Sequence, residues 1–192
     1  MSDILYHVYQ YPGLKETDIE EIIRHHKKRT VRKGDHILKQ GQISKSYWIL
    51  EAGLIRSFVI DTDGNEITTE FYTAGEVVIE VASVFKQEPT QETFQALTDC
   101  ELWEINFEDF QAAFVGIPAF AEWGRMWMTF ALTLQKDRML NMITQSAQHR
   151  YSLLLEQKPM IIQQAPLKYI ASYLGVTDTS LSRIRKDILK TP

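Results

Sequence analysis

The chain has 192 residues, of which 44% are hydrophobic and 24% charged, and carries a formal net charge of −4. That length exceeds one typical domain without filling two, and the composition is that of a folded globular protein, which excludes a disordered chain. No apolar run approaches the roughly 18 to 20 residues of a membrane span, and the start MSDILYHVYQYPG has neither a basic segment nor a small-residue cleavage site, so a cytoplasmic protein without membrane contact is expected.

The first pattern is TDIEEIIRHHKKR, where Thr17 and Glu20 have the spacing of a capping box and Ile19, Ile22 and Ile23 share one helical face. The basic cluster from Arg24 to Arg29 is expected in the last turn, where cations complement the helix dipole. His25 and His26 are adjacent, so on a helix they point in different directions and do not chelate one ion. From about Val31 to Asn106 the pattern changes to short β-type runs, SYWILEAG, LIRSFVID, EITTEFYTAG, EVVIEV and CELWEIN. Gly41, Gly53, Gly64 and Gly75 punctuate them at intervals of 12, 11 and 11 residues, a spacing that predicts an antiparallel sandwich or barrel. Asp63-Gly64 marks a tight hairpin. The single cysteine, Cys100, sits in an apolar stretch and is expected to be buried.

After Pro118 the period turns helical for roughly 25 residues. Phe120, Trp123, Trp127, Phe130 and Leu134 recur at steps of 3, 4, 3 and 4, the seam of a coiled coil. Two partners fit such a stripe, the chain's own β segment and the same helix of a second copy; a homodimer interface that also touches the barrel is the favoured expectation. Beyond it the stripe turns polar at Arg138 and Asn141.

The last segment is the most informative. Leu167, Ile170, Ala171 and Leu174 give one apolar helical face behind Pro166, and Gly175 falls where a left-handed cap is needed. Thr177 suits the cap of a second helix and Asp178 its first turn. If Leu181, Ile184 and Ile188 are buried, Thr179, Arg183, Lys186 and Lys190 face outward, with Ser182 on the flank. Residues 146 to 192 carry seven cations against three acids, whereas the first 145 carry 14 against 22. A basic terminal unit on an acidic body is the charge pattern of a nucleic-acid-reading head, and an outward face of this kind can meet guanine edges and phosphates.

RYSLLLEQKP and PLKYIASYLGVTDTSLSRIRKDI together resemble the DNA-binding region of the Crp–Fnr family of bacterial transcription regulators, in the short form common in Bacteroidetes. VRKGDHILKQGQISKSYWILEAGLIRSFVIDTDGNEITTEFYTAGEVVIEV is similar to the family's cyclic-nucleotide-binding β-roll. The resemblance implies an α+β protein in three parts: a β-roll (double-stranded β-helix) sensor over residues 1–117, a long dimerisation helix over 118–145, and an all-α helix-turn-helix over 146–192. It further implies double-stranded DNA, a second copy of the chain and RNA polymerase as partners, with Arg183 at the family's base-contacting position. Thr177 and Thr179 match positions that touch phosphate or bases, whereas Asp178, which would repel phosphate, is carried over only as a cap. The wing strands that often follow the recognition helix are not expected before Pro192.

The same resemblance places a ligand cassette at Ile79-Glu80-Val81 and Thr90-Gln91. Glu80 stands at the ribose partner, while Ile79 replaces a glycine and Thr90 replaces the arginine that holds the cyclic phosphate. Losing a charge-assisted bidentate partner for a buried phosphate costs on the order of 2 to 5 kcal/mol, so cyclic AMP is disfavoured and the effector is left open. No cofactor or metal is expected. One cysteine does not hold an iron–sulfur cluster, His7 and His36 carry no haem signature, and a metal-dependent barrel enzyme needs a histidine cluster where the β segment has His36 alone. The expectation is a DNA-binding regulator without enzymatic activity; the alternative is a small-molecule binding module whose helical tail makes protein contacts.

Overall fold

A computed structural model describes residues 3–188. Eight strands build a roll of two antiparallel four-stranded sheets. One runs β1 (Lys27–Val31), β8 (Cys100–Asn106), β3 (Ser46–Ala52), β6 (Val77–Val78), and the other β2 (His36–Leu38), β7 (Thr93–Ala96), β4 (Ile55–Ile60), β5 (Glu66–Tyr72). β3 explains why its sequence is apolar without alternation. Trp48 and Leu50 point between the sheets, against Leu38, Ile55, Phe94, Ala96 and Leu102, while Tyr47 and Ile49 point outward into a helical layer. Both faces of the strand are therefore buried.

The Asp63-Gly64 hairpin forms between β4 and β5, with Asp61 accepting from the Asn65 and Asp63 amides at 2.8 and 2.9 Å. These bonds, that from Asn65 first, hold the Asp61 carboxyl below its usual range. At the turn after β3, Gly53 has φ +106°, and a Cβ there would lie 2.6 Å from both the Asp99 carbonyl oxygen and Cys100 Sγ. Cys100 itself is buried, which raises its thiol pKa.

The N-terminal helices are α1 (Asp3–Tyr9) and α2 (Glu16–Arg24). Ile19, Ile22 and Ile23 share the buried face of α2, but the helix begins before Thr17. Lys15 is at the cap, and its amide donates to Asp18 at 3.0 Å, so Asp18 takes the role expected of Glu20. The basic cluster is also displaced. The helix stops at Arg24, and Lys27, Lys28 and Arg29 lie on β1, paired with Glu104, Trp103 and Leu102. The cause is His26, drawn into the core between the Tyr9 hydroxyl (2.8 Å) and the Ile22 carbonyl (3.0 Å), which turns the chain into the sheet. Lys28 then bridges Glu51 and Glu101, each at 2.8 Å.

A short helix, α3 (Val81–Lys86), interrupts the roll, and α4 (Phe107–Gly116) leads from it into α5 (Pro118–Thr144). The aromatic stripe of α5 does not behave as one seam. Phe120 is fully buried and Trp123 nearly so, in a cluster with Leu5, Tyr9, Tyr47 and Phe110, and the Trp123 indole donates to the Val8 carbonyl at 3.0 Å. Both are core residues of their own chain, which corrects their assignment to a dimer contact. Trp127 is partly buried, whereas Phe130 and Leu134 are 61% and 51% exposed, so the aromatic stripe is open beyond Trp127. Four helices follow, α6 (Ala147–Gln157), α7 (Pro159–Gln164), α8 (Leu167–Tyr173) and α9 (Asp178–Ile188). Among the described residues no strand follows β8, and no helix is long and apolar enough to cross a membrane.

Candidate functional site

The α8–α9 hairpin takes the expected form. Pro166 caps α8, whose Ile170 and Ala171 are buried, and Gly175 closes the turn with φ +67°, its α-carbon facing Met142 of α5 closely enough that a Cβ would lie 2.7 Å from the methyl. Thr177 caps α9 by accepting from the Ser180 amide at 3.2 Å, while its hydroxyl donates to Ser180 Oγ at 3.0 Å. Thr177 is exposed, but its hydroxyl is committed to the cap. Leu181 is fully buried, and Thr179, Arg183 and Lys186 are exposed on the far side, with Ser182 partly covered. Lys190 lies outside the described residues.

The hairpin does not hang free. Leu54, Phe71 and Leu97 of the roll join Tyr151, Leu154, Ile161, Ile170, Leu174 and Leu181 in one apolar cluster. Around it, the Thr68 amide donates to Ser172 Oγ at 3.1 Å, and the Tyr173 hydroxyl donates to Glu70 at 3.2 Å. Lys158 donates to the Phe71 carbonyl at 2.9 Å and pairs with Glu76 at 2.7 Å. Arg56, fully buried on β4, is stacked 3.4 Å from the Tyr169 ring centroid and 4.1 Å from that of Phe58, while bonding to Gln95 and Glu66. Arg138 of α5 donates to the carbonyls of Thr69 and Tyr173 and lies 4.0 Å over the Tyr173 ring. Roll, long helix and terminal helices thus share one joint.

At that joint lies a cavity of about 590 Å³, lined by Ser57, Thr69, Glu70 and Tyr72 of the roll, Glu80 and Val81 at the start of α3, Glu92, Gln135 and Arg138 of α5, and Ser172 and Tyr173 of α8. Glu80 and Val81 therefore reach it as expected. Glu80 also caps α3, accepting from the Ser83 amide at 2.5 Å. Thr90 and Gln91 do not line it, a correction with a local cause. The Thr90 backbone is paired with Gly41 and Gln42 at 2.8 Å each, its hydroxyl accepts from the Glu92 amide at 2.9 Å, and it is buried in its own turn, with Gln91 exposed. Glu92 reaches the cavity instead. Burial, then the proximity of Glu80 and Glu70, raises its carboxyl pKa, against a Thr69 hydrogen bond that lowers it. Tyr72 and Tyr173 are likewise pushed up, first by burial. Among the described residues no group of three or more His, Cys, Asp or Glu side chains is placed to hold a metal ion.

A two-sheet roll with a cavity against a long helix and a docked helical hairpin defines the structural class of this protein. Comparison makes the class specific: residues 28–115 match the family model "Cyclic nucleotide-binding domain". The chain is similar to the fumarate and nitrate reduction regulatory protein of Vibrio cholerae, 24% identical over 177 residues that cover 86% of this chain and 69% of that protein. In fold it is similar to the c-di-GMP responsive global regulator CLP of Xanthomonas campestris, with a TM-score of 0.71 at 16% identity over 91% of this chain and 92% of that one. It is also similar to the catabolite activator protein of Thermus thermophilus, with a TM-score of 0.60 at 19% identity over 98% and 87%. In sequence and in fold the chain is thus similar to regulators of the Crp–Fnr type.

Proposed function

We propose that this protein is a Crp–Fnr type transcription regulator that binds DNA as a homodimer through α8 and α9, with the cavity at the joint as its sensor. The observation that carries the reading is the geometry of α9: Leu181 anchors it, while Thr179, Arg183 and Lys186 are exposed opposite the anchor on a chain segment richer in cations than the body. Arginine and lysine there reach base edges and phosphates, and Ser182 flanks them. Thr177 serves the cap first, and its amide end of the helix faces phosphate. Arg183 takes the base, Lys186 the backbone.

The homodimer is supported by α5, whose Phe130, Leu132 and Leu134 are left largely exposed by the described residues. A dyad through that helix would set two α9 helices on half-sites about one helical turn apart. Fluorescence anisotropy on labelled DNA from upstream of the coding region tests the reading. Affinity is expected to fall steeply with salt, and Arg183→Ala should cost about 1 to 3 kcal/mol on the preferred sequence and relax discrimination at one base pair. Loss of affinity by the same factor on every sequence would remove Arg183 from base recognition, and salt-insensitive binding would remove α9 from the interface.

A further inference from the structure

The cavity at the joint has the size of a small-molecule site, about 590 Å³. Its walls have a definite electrostatic character. Glu70, Glu80 and Glu92 contribute three carboxylates, and Arg138 is the single cation among the described lining residues. That guanidinium lines the cavity, but it also holds the Thr69 and Tyr173 carbonyls and stacks on the Tyr173 ring, so one cation already shared with the joint faces three carboxylates. Ser57, Thr69 and Tyr72 add hydroxyl groups to the lining. A phosphate entering this space would be desolvated beside three like charges, whereas a cation would be stabilised by each of them.

We propose that the cavity binds a small organic cation, an amine or guanidine, with Glu92 as its principal anchor and Glu70 as the second. Of the three carboxylates Glu92 is best suited to that role. Glu80 is tied to the Ser83 amide at the head of α3, and Glu70 already accepts from the Phe71 amide, Tyr173 and Gln135. Glu92 is held half-buried by the turn that Thr90 closes. Burial first, and then the neighbouring Glu80 and Glu70, raise its pKa against the opposing influence of a Thr69 hydrogen bond and Arg138. The inference rests on the reading of this cavity as the sensor and names the ligand class it takes; the DNA-binding part of the regulator reading is independent of it.

The test is thermal unfolding of the full chain with four probes: glucosamine, its neutral counterpart glucose, agmatine, and cyclic AMP. Glucosamine or agmatine at up to about 10 mM should raise the melting temperature by at least about 2 °C in a saturable manner, and glucose and cyclic AMP should not. Glu92→Gln keeps the shape of the side chain and should abolish the rise. Its own melting temperature without ligand, read in the same scan, establishes that it folds. Absence of any rise with both amines, an equal rise with glucose, a larger rise with cyclic AMP, or a rise that survives Glu92→Gln would each overturn the proposal. DNA binding is read separately, so loss of one result leaves the other standing.

Discussion

Stability should fall as the pH is lowered from 7 to 5, and His26 should be a main cause. The imidazole lies in the core between α1, α2 and β3, with Nδ1 on the Ile22 carbonyl at 3.0 Å and Nε2 on the Tyr9 hydroxyl at 2.8 Å, which in turn meets the Tyr47 hydroxyl at 2.9 Å. One arrangement satisfies every group: Nδ1–H donates to Ile22, Tyr9 donates to Nε2, and Tyr47 donates to Tyr9. A second proton, on Nε2, would face the Tyr9 hydrogen inside the buried cluster. Burial therefore lowers the His26 pKa from 6.5 to about 4, only partly offset by the Ile22 carbonyl, and with a smaller contribution from His25. The unfolded chain binds the proton near pH 6.5 and the folded chain does not until near pH 4, so stability is complete above the first value and lost as pH falls towards the second. At pH 5 the loss from this one group is about 2 kcal/mol, approaching about 3 kcal/mol below pH 4. Urea unfolding at pH 7, 6 and 5 measures it. His26→Gln should be less stable at pH 7 but lose about 2 kcal/mol less between pH 7 and 5 than the unaltered chain, because ordinary carboxylates contribute equally to both. Parallel pH profiles for the two proteins would refute a neutral, buried His26.

Three further outcomes follow from particular contacts. Gly53→Ala should cost roughly 2 kcal/mol or more in chemical unfolding, since the new Cβ meets a backbone oxygen and the Cys100 sulfur at a φ that L residues rarely adopt. Glu80→Ala removes the cap of α3 and should cost about 1 kcal/mol while leaving the hairpin of α8 and α9 in place, as circular dichroism of the folded protein would show. Phe130→Asp combined with Leu134→Asp should leave the melting temperature of the monomer nearly unchanged but abolish dimerisation in sedimentation, because both side chains are exposed in the single chain. An unchanged sedimentation coefficient at the protein concentration where the original chain is dimeric would place the interface elsewhere.

Local chemistry was readable where it acts over a few residues. The hairpin at Asp63-Gly64, the left-handed Gly175 and the Thr177 cap all appear where the sequence places them, because each depends on one residue's backbone freedom or one short hydrogen bond. The start of α2 and the displaced basic cluster were less legible: Thr17, Asp18 and Glu20 compete for neighbouring cap roles, and the cluster's place depends on His26 being buried against Tyr9 of α1. The cavity lining was half legible. Glu80 and Val81 were found from the family cassette, but transfer by fixed spacing named Thr90 and Gln91 where the turn brings Glu92 forward. Glu70, Arg138, Ser172 and Tyr173 lie as many as 103 residues apart and carry no shared pattern.

By itself the sequence determined the periods and several caps and turns, and with them the succession of an N-terminal helix, a β segment, a long helix and a terminal helical pair, because those follow from steric and hydrogen-bonding preferences within a few residues. It also determined that a wide apolar stripe runs along α5. Only the tertiary structure decided what covers that stripe: Phe120 and Trp123 close against Tyr9 and Phe110 of the same chain, and Phe130 and Leu134 do not. Burial is a property of what packs opposite a side chain, and apolar residues at helical spacing are the same for either partner. For the same reason the docking of α8 on β5, and the acidic cavity it encloses, arose only when distant segments met.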